Sequence, residues 1–232
     1  MIKSIPAGKF QACILDLDGT LANTITSIAY FGNSTLEEYG LPAIPVETYK
    51  SLVGNGADVL MRRMLKTVGA NFPEEKIRQF RKAYDQRYES EPMALVEPYP
   101  GIPELLERLK TLGLKVGVLS NKPDNMAQYI VRALFGSLPD QVHGQRDGFP
   151  TKPDPTAVLR MAADFQIQPE HILYVGDSGV DMQTGRNAGM VPCGVLWGFR
   201  GEEELRENGA EFLVKTAEEL YAVATASKNS CQ

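Results

Sequence analysis

The sequence predicts an α/β protein, a parallel-sheet core carrying a small inserted helical unit. Short runs rich in Val, Ile and Leu recur along the chain, and segments with helical periodicity lie between them. One long stretch near the start, 23–92, instead shows helical patterns with no convincing strand.

The apolar runs are ACILDLD (12–18), LKVGVLS (114–120), HILYVGD (171–177) and VPCGVLW (191–197). Continuous rather than alternating, they read as strands covered on both faces. Helices are expected over 102–112, 125–134, 156–165 and 180–188. Gly113 and Gly189 follow two of them, where a left-handed cap is wanted, and Pro103 and Pro155 sit near helix starts. Within the insertion, helices are expected around 27–39, 58–68 and 74–88, and Pro92, Pro98 and Pro100 mark the return. These observations together give a Rossmann-like core over 1–22 and 93–232 with a helical cap over 23–92. The end of the chain, ASKNSCQ, reads as a frayed tail.

A chain of 232 residues with 43% hydrophobic residues can bury a full core. No apolar run approaches the roughly 18 residues of a membrane span, and the first residues lack a secretory pattern, so the expected compartment is the cytosol. Cys13, Cys193 and Cys231 are far apart and outside any CxxC spacing, which suggests neither disulfides nor zinc. With 24 basic against 29 acidic residues, the net charge of -5 argues against a nucleic-acid partner. An anionic small substrate then requires a local positive site. The histidines are His143 and His171, so any metal is expected to be a hard cation on oxygen ligands.

In an open parallel sheet, ligands bind beyond the carboxyl ends of the strands. The residues at those ends are Asp16 and Asp18; Ser120 and Asn121; and Asp177, Ser178 and Asp181, with Lys152 expected to open a helix at TKPDP. Carboxylates side by side raise one another's pKa and cost stability unless a cation is present, so the cluster predicts a bound Mg2+. Strand alternation puts Asp16 and Asp18 on one side. Gly19 and Thr20 would let the backbone approach a phosphoryl oxygen, and Ser120 would add a neutral donor. Each piece also has a bland reading: DLDG as a turn, GDS as a strand-end turn with a helix cap, Lys152 as a solvated residue. The joint occurrence at one end of the expected sheet favours a site.

The ordered set DLDGTL (16–21), LSN (119–121), TKPDP (151–155) and GDSGVD (176–181) resembles the haloacid dehalogenase superfamily of phosphatases over nearly the whole chain. The helical insert resembles the subgroup with a small cap, and LVGNGADVLMRRML (52–65) is similar to the substrate-facing loop of its phosphoglycolate phosphatases. The resemblance implies Asp16 as nucleophile, Asp18 as general acid and then base, and Mg2+ held by Asp16, the Asp18 carbonyl and Asp177. By the same resemblance Asp181 supports the metal shell and Ser120 and Lys152 bind the phosphoryl group; Ser178 is a further candidate for the metal shell, and Asn121, Gly19 and Thr20 for phosphate. Asn23-Thr24 stands where many members have Asp-Ser.

For the cap, Gly54, Asn55 and Gly56 are candidate amide donors to a carboxylate-bearing substrate, and Arg62 a candidate charge. Arg62 and Arg63 read equally as solvated helix residues, and Lys50 as a surface residue. The expected partner is a small phosphorylated metabolite such as 2-phosphoglycolate, with no nucleic acid and no membrane, acted on by a monomer or homodimer. The alternatives are a sugar-phosphate mutase, a pyrophosphatase of the same superfamily, and a phosphorylated signalling module. The last places its lysine after all its acidic residues, whereas Asp177 and Asp181 follow Lys152 here.

Overall fold

The computed structural model describes residues 10–226; Cys231 and nearly all of the expected tail lie outside them. Strand β1 (Ala12–Leu15) leads to the short β2 (Ala22–Asn23) and then to helices α1 (Ile25–Glu38), α2 (Val46–Leu52), α3 (Ala57–Thr67) and α4 (Glu74–Ser90). The chain returns through β3 (Glu97–Pro98), antiparallel to β2. It then alternates through α5 (Ile102–Thr111), β4 (Lys115–Pro123), α6 (Asp124–Phe135), β5 (Gln141–Gln145), α7 (Thr156–Phe165) and β6 (Ile172–Gly176). The remainder is α8 (Gly179–Asn187), β7 (Val191–Val195), α9 (Glu202–Glu207), β8 (Phe212–Val214) and α10 (Ala217–Thr225).

The main sheet runs β5-β4-β1-β6-β7-β8, all parallel. Strand order departs in both directions from β1, so the switch-point crevice opens beyond Leu15. Alternation within the strands divides the core between the two faces. Cys13, Leu15, Leu173 and Val175 join Leu105, Leu106 and Leu109 of α5 and Ile130 and Val131 of α6. Ala12, Ile14, Ile172 and Tyr174 join Val158, Met161 and Ala162 of α7 on the other face. Continuous apolar runs were needed because neither face meets water.

The expected helices appear with ends displaced by two residues or fewer. Gly113 and Gly189 have φ of +83° and +70°, and the amides of Leu114 and Met190 close their helix ends at 3.1 and 2.9 Å. Seven of these elements were not expected: β2, β3, α2, β5, α9, β8 and α10. Polar β5 (QVHGQ) is an edge strand, β8 has only three residues, and α2 only seven. The expected strand at 12–18 stops at Leu15, so Asp16 and Asp18 lie in the following loop. TKPDP is likewise a loop: α7 begins at Thr156, and the Lys152-Pro153 peptide is cis.

Helices α1–α4 enclose their own apolar cluster, with Phe31, Tyr49, Met61, Met64 and Phe80 buried and Met126 of α6 joining it from the sheet side. Phe31 stacks on Tyr88 with ring centroids 4.8 Å apart, pinning α1 to α4. None of the described helices is long and apolar enough to cross a membrane. Position on α5 should decide the cost of truncation. Leu106→Ala, at a fully buried site, is expected to lose about 2–5 kcal/mol in urea unfolding, and Leu112→Ala, 42% exposed at the helix end, under about 0.5 kcal/mol. Equal losses would contradict this packing.

Candidate active site

The crevice beyond β1 is a cleft lined by loops at the strand ends and by residues of the inserted helices. Asp16, Asp18, Ser120, Asn121, Lys152, Asp177 and Ser178 all line it, as do Gly54 and Gly56. Carboxylate oxygens of Asp16, Asp177 and Asp181 lie within 4.8 Å of one another, and all three residues are buried.

Lys152 joins two of these acids. Its Nζ is 2.8 Å from Asp16 Oδ1 and 2.8 Å from Asp181 Oδ1, and it donates to the Leu119 carbonyl at 3.3 Å. Asp16 Oδ1 also accepts from the Leu17 amide at 2.7 Å. Asp181 sits in the first turn of α8 and closes a capping box with Ser178, whose hydroxyl donates to Oδ2 at 2.6 Å. One aspartate thus caps a helix and anchors the lysine. Asp177 Oδ2 accepts from the Phe199 amide at 2.7 Å.

Three buried carboxylates against one ammonium leave a deficit of two positive charges. Burial, with Asp181 and Asp18 nearby, outweighs Lys152 and raises the Asp16 pKa to about 7. Burial and the charges of Asp181 and Asp16 push Asp177 well above the usual carboxylate range. Lys152 is pushed up despite its burial because both aspartates favour its charged form. This donor set fits a hard divalent cation. Glycine is required beside it: Gly19 has φ +90°, and a Cβ there would lie 2.6 Å from Asp177 Cγ.

Other expected residues have different surroundings. The Thr20 hydroxyl is fully buried with no hydrogen-bond partner and does not line the cleft. Asn121 accepts from the Lys152 amide at 2.9 Å and donates to the carbonyls of Gly54 at 3.0 Å and Lys152 at 3.2 Å. Its amide therefore ties the lysine loop to the loop before α3. Asn55 accepts from Arg63 at 2.9 Å. Arg62 is exposed and pairs bidentately with Glu74 at 2.7 Å, away from the cleft lining. The structure does not bring it to the site. Lys50 pairs with Glu47 at 2.8 Å, outside the lining.

Sequence reasoning missed Lys122 and Arg200. Lys122 is 7% exposed, and its Nζ meets the two Asp18 oxygens at 3.0 and 3.2 Å and lies 4.7 Å from the Tyr88 ring centroid. Burial opposes its charge, but Asp18 outweighs that and pushes its pKa up. No pattern in the sequence pointed to it: β4 runs to Pro123, but its register shifts between Leu119 and Pro123, so strand alternation does not carry through to Lys122. Arg200 donates to the Val53 carbonyl at 3.0 Å from a loop that carried no motif.

Comparison with known proteins agrees with this arrangement. The family model for haloacid dehalogenase-like hydrolases matches residues 13–195. A phosphoglycolate phosphatase of Haemophilus influenzae is 30% identical over 221 residues, 93% of this chain and 98% of the relative. One from Aquifex aeolicus is 34% identical over 190 residues, 82% of this chain and 86% of the relative. The crystal structure of a predicted phosphoglycolate phosphatase from Haemophilus somnus superposes with a TM-score of 0.87 at 26% identity, covering 94% of this chain and 99% of that one. Family match, sheet order and acid cluster agree, and the chain belongs to the haloacid dehalogenase-like hydrolases.

Proposed function

We propose that the protein is a Mg2+-dependent phosphomonoesterase of small phosphorylated metabolites, with 2-phosphoglycolate as the leading substrate. The observation that carries this is the buried acid trio against Lys152 at the floor of a cleft roofed by residues of α1, α3, α4 and the loop before α3. The names of the relatives support phosphoglycolate, and the helices between β2 and β3 are read as a cap over the sheet.

Asp16 and Asp177, with the Asp18 carbonyl, would hold Mg2+. A divalent cation held there would neutralise the carboxylates and offset their repulsion of the substrate's phosphate. Asp181 is already engaged by Lys152 and Ser178, which suits a supporting place behind those ligands. Asp16 Oδ1 accepts from Lys152 and Leu17, so Oδ2 is assigned to attack phosphorus. A P–O bond forms to Asp16 as the ester P–O bond breaks, and Asp18 gives its proton to the departing alkoxide. Asp18 then takes a proton from water, which attacks the aspartyl-phosphate, frees phosphate and restores Asp16.

Uncatalysed monoester hydrolysis is slow enough to need enhancements of up to ~10²¹. Proton transfer by Asp18 supplies roughly 10²–10⁴ of that. The remainder falls to positioning and to charge stabilisation, supplied here by Lys152 and Ser120 on the phosphoryl oxygens. Asn121 acts by holding the Lys152 loop.

A panel of phosphorylated metabolites with Mg2+ tests the reading: phosphate release is expected, fastest from 2-phosphoglycolate. Well-folded protein that releases none would overturn the enzyme assignment; faster turnover of a nucleotide or pyrophosphate would overturn only the substrate. Asp16→Asn should abolish turnover and phosphate labelling of the protein, while Asp18→Asn should lose roughly 10²–10⁴ in rate. A wild-type rate in Asp16→Asn refutes the nucleophile.

Metal dependence of stability gives an independent check. In metal-free protein the Asp16 pKa is raised from 3.8 to about 7, so folding favours its neutral form. That contribution is full below the unfolded pKa and is lost as pH rises through about 7. Mg2+ needs the ionised form, so it should raise Tm more at pH 8 than at pH 5 relative to EDTA. The same shift at both pH values, or none, would contradict the metal assignment.

A further inference from the structure

The inserted helices contribute no lysine, arginine or histidine to the cleft lining; their charged side chains there are Asp85 and Glu89. Both already have partners, Asp85 in Arg81 at 2.8 Å and Glu89 in Asn125 at 2.8 Å. The lining cations come from the sheet side. Lys152 is engaged by Asp16 and Asp181, and Arg200 by the Val53 carbonyl at 3.0 Å and Glu204 at 3.3 Å.

Lys122 differs from both. Its ammonium sits between the Asp18 carboxylate and the Tyr88 ring, where the polar floor of the cleft meets its apolar wall. The side chain is 4% exposed, in surroundings where a charge-assisted hydrogen bond is stronger than in water. An ammonium has three N–H donors, and a single carboxylate does not exhaust them.

We propose that Lys122 is the specificity-determining residue of this enzyme, receiving an anionic group on the leaving alcohol. The substrate class is then phosphomonoesters whose leaving group bears a carboxylate one or two carbons from the ester oxygen. The inference rests on the phosphatase reading above, in which Asp18 stands beside that ester oxygen. Because Lys122 holds Asp18, a carboxylate so close to the oxygen comes within reach of the same ammonium. A neutral leaving group gains nothing from it. Selection by charge would thus come from the core strand β4 rather than from an arginine of the inserted helices.

The test compares 2-phosphoglycolate with its uncharged amide, using full-length protein with Mg2+. Wild type should prefer the acid in kcat/KM by about 10- to 100-fold. K122M should bring the two substrates to within about twofold, chiefly by raising KM for the acid, whereas K122R should keep the preference. The ratio is the readout because losing the partner of Asp18 slows both substrates alike. Should K122M fail to fold, the wild-type ratio and K122R decide. Equal hydrolysis of acid and amide by wild type, or a preference that survives K122M, overturns the role of Lys122 and leaves the phosphatase intact. Release of phosphate from neither compound, nor from any metabolite of the panel, overturns the phosphatase reading and this inference with it.

Discussion

The placement of Lys152 between Asp16 and Asp181 is the constraint on which the rest of the site depends. Its side chain is 3% exposed and those of the two aspartates 10% and 0%, so none of the three charges can be left to solvent. Removing one partner of such a buried set costs about 3–5 kcal/mol, because the other charges remain buried without compensation. The loop after β1, the segment ahead of α7 and the first turn of α8 must therefore arrive together. The Ser178–Asp181 capping box serves the same end, since the start of α8 orients the carboxylate that receives the ammonium.

Asp177 is held differently. Its Oδ2 accepts from the Phe199 amide, and Gly19 and Gly198 approach it so closely that a Cβ at either position would overlap it. Backbone thus crowds the acid from two sides, and glycine is the residue that permits the contact. The lysine loop and the loop before α3 are coupled through Asn121, which bonds to both. An amide can do this because it donates and accepts at once. The sequence suggested Asn121 as a phosphate ligand; the hydrogen bonds show a clamp.

Much of the fold was legible because both faces of the sheet are buried, which leaves continuous apolar runs in β1, β6 and β7. Strand β5 escaped because at the sheet edge its residues are only partly buried and need not be apolar. The acids and Lys152 were legible for a related reason: they sit where a buried strand ends, and ionisable residues stand out there. Arg62 and Arg63 were not separable in sequence. Consecutive helical residues point about 100° apart, and the turn of α3 relative to its neighbours decides which one reaches inward. Arg63 turned in to the carbonyls of Leu52 and Val53, and Arg62 out to Glu74. Lys122 was hidden because a lysine beside a proline reads as loop, while its burial depends on Asp18 and on Tyr88, neither near it in sequence.

The cleft lies between two apolar clusters that form separately, one on the sheet and one among α1–α4, with Met126 of α6 joining the second. Their covalent connections are few, and the β2–β3 ribbon pairs only Ala22 with Pro98 and Asn23 with Glu97. Contacts that register one cluster against the other at the cleft include Asn121 to Gly54, Arg200 to Val53 and Lys122 against Tyr88, beside the apolar Met126 and Phe199 packed on the helices. Polar contacts of this kind contribute about 0.5–3 kcal/mol each, far less than either cluster gains from apolar burial. In the proposed reading, a substrate that engages Lys122 and the loop around Gly54 would touch these same contacts, so recognition of the leaving group and the seating of α1–α4 over Asp16 would share them.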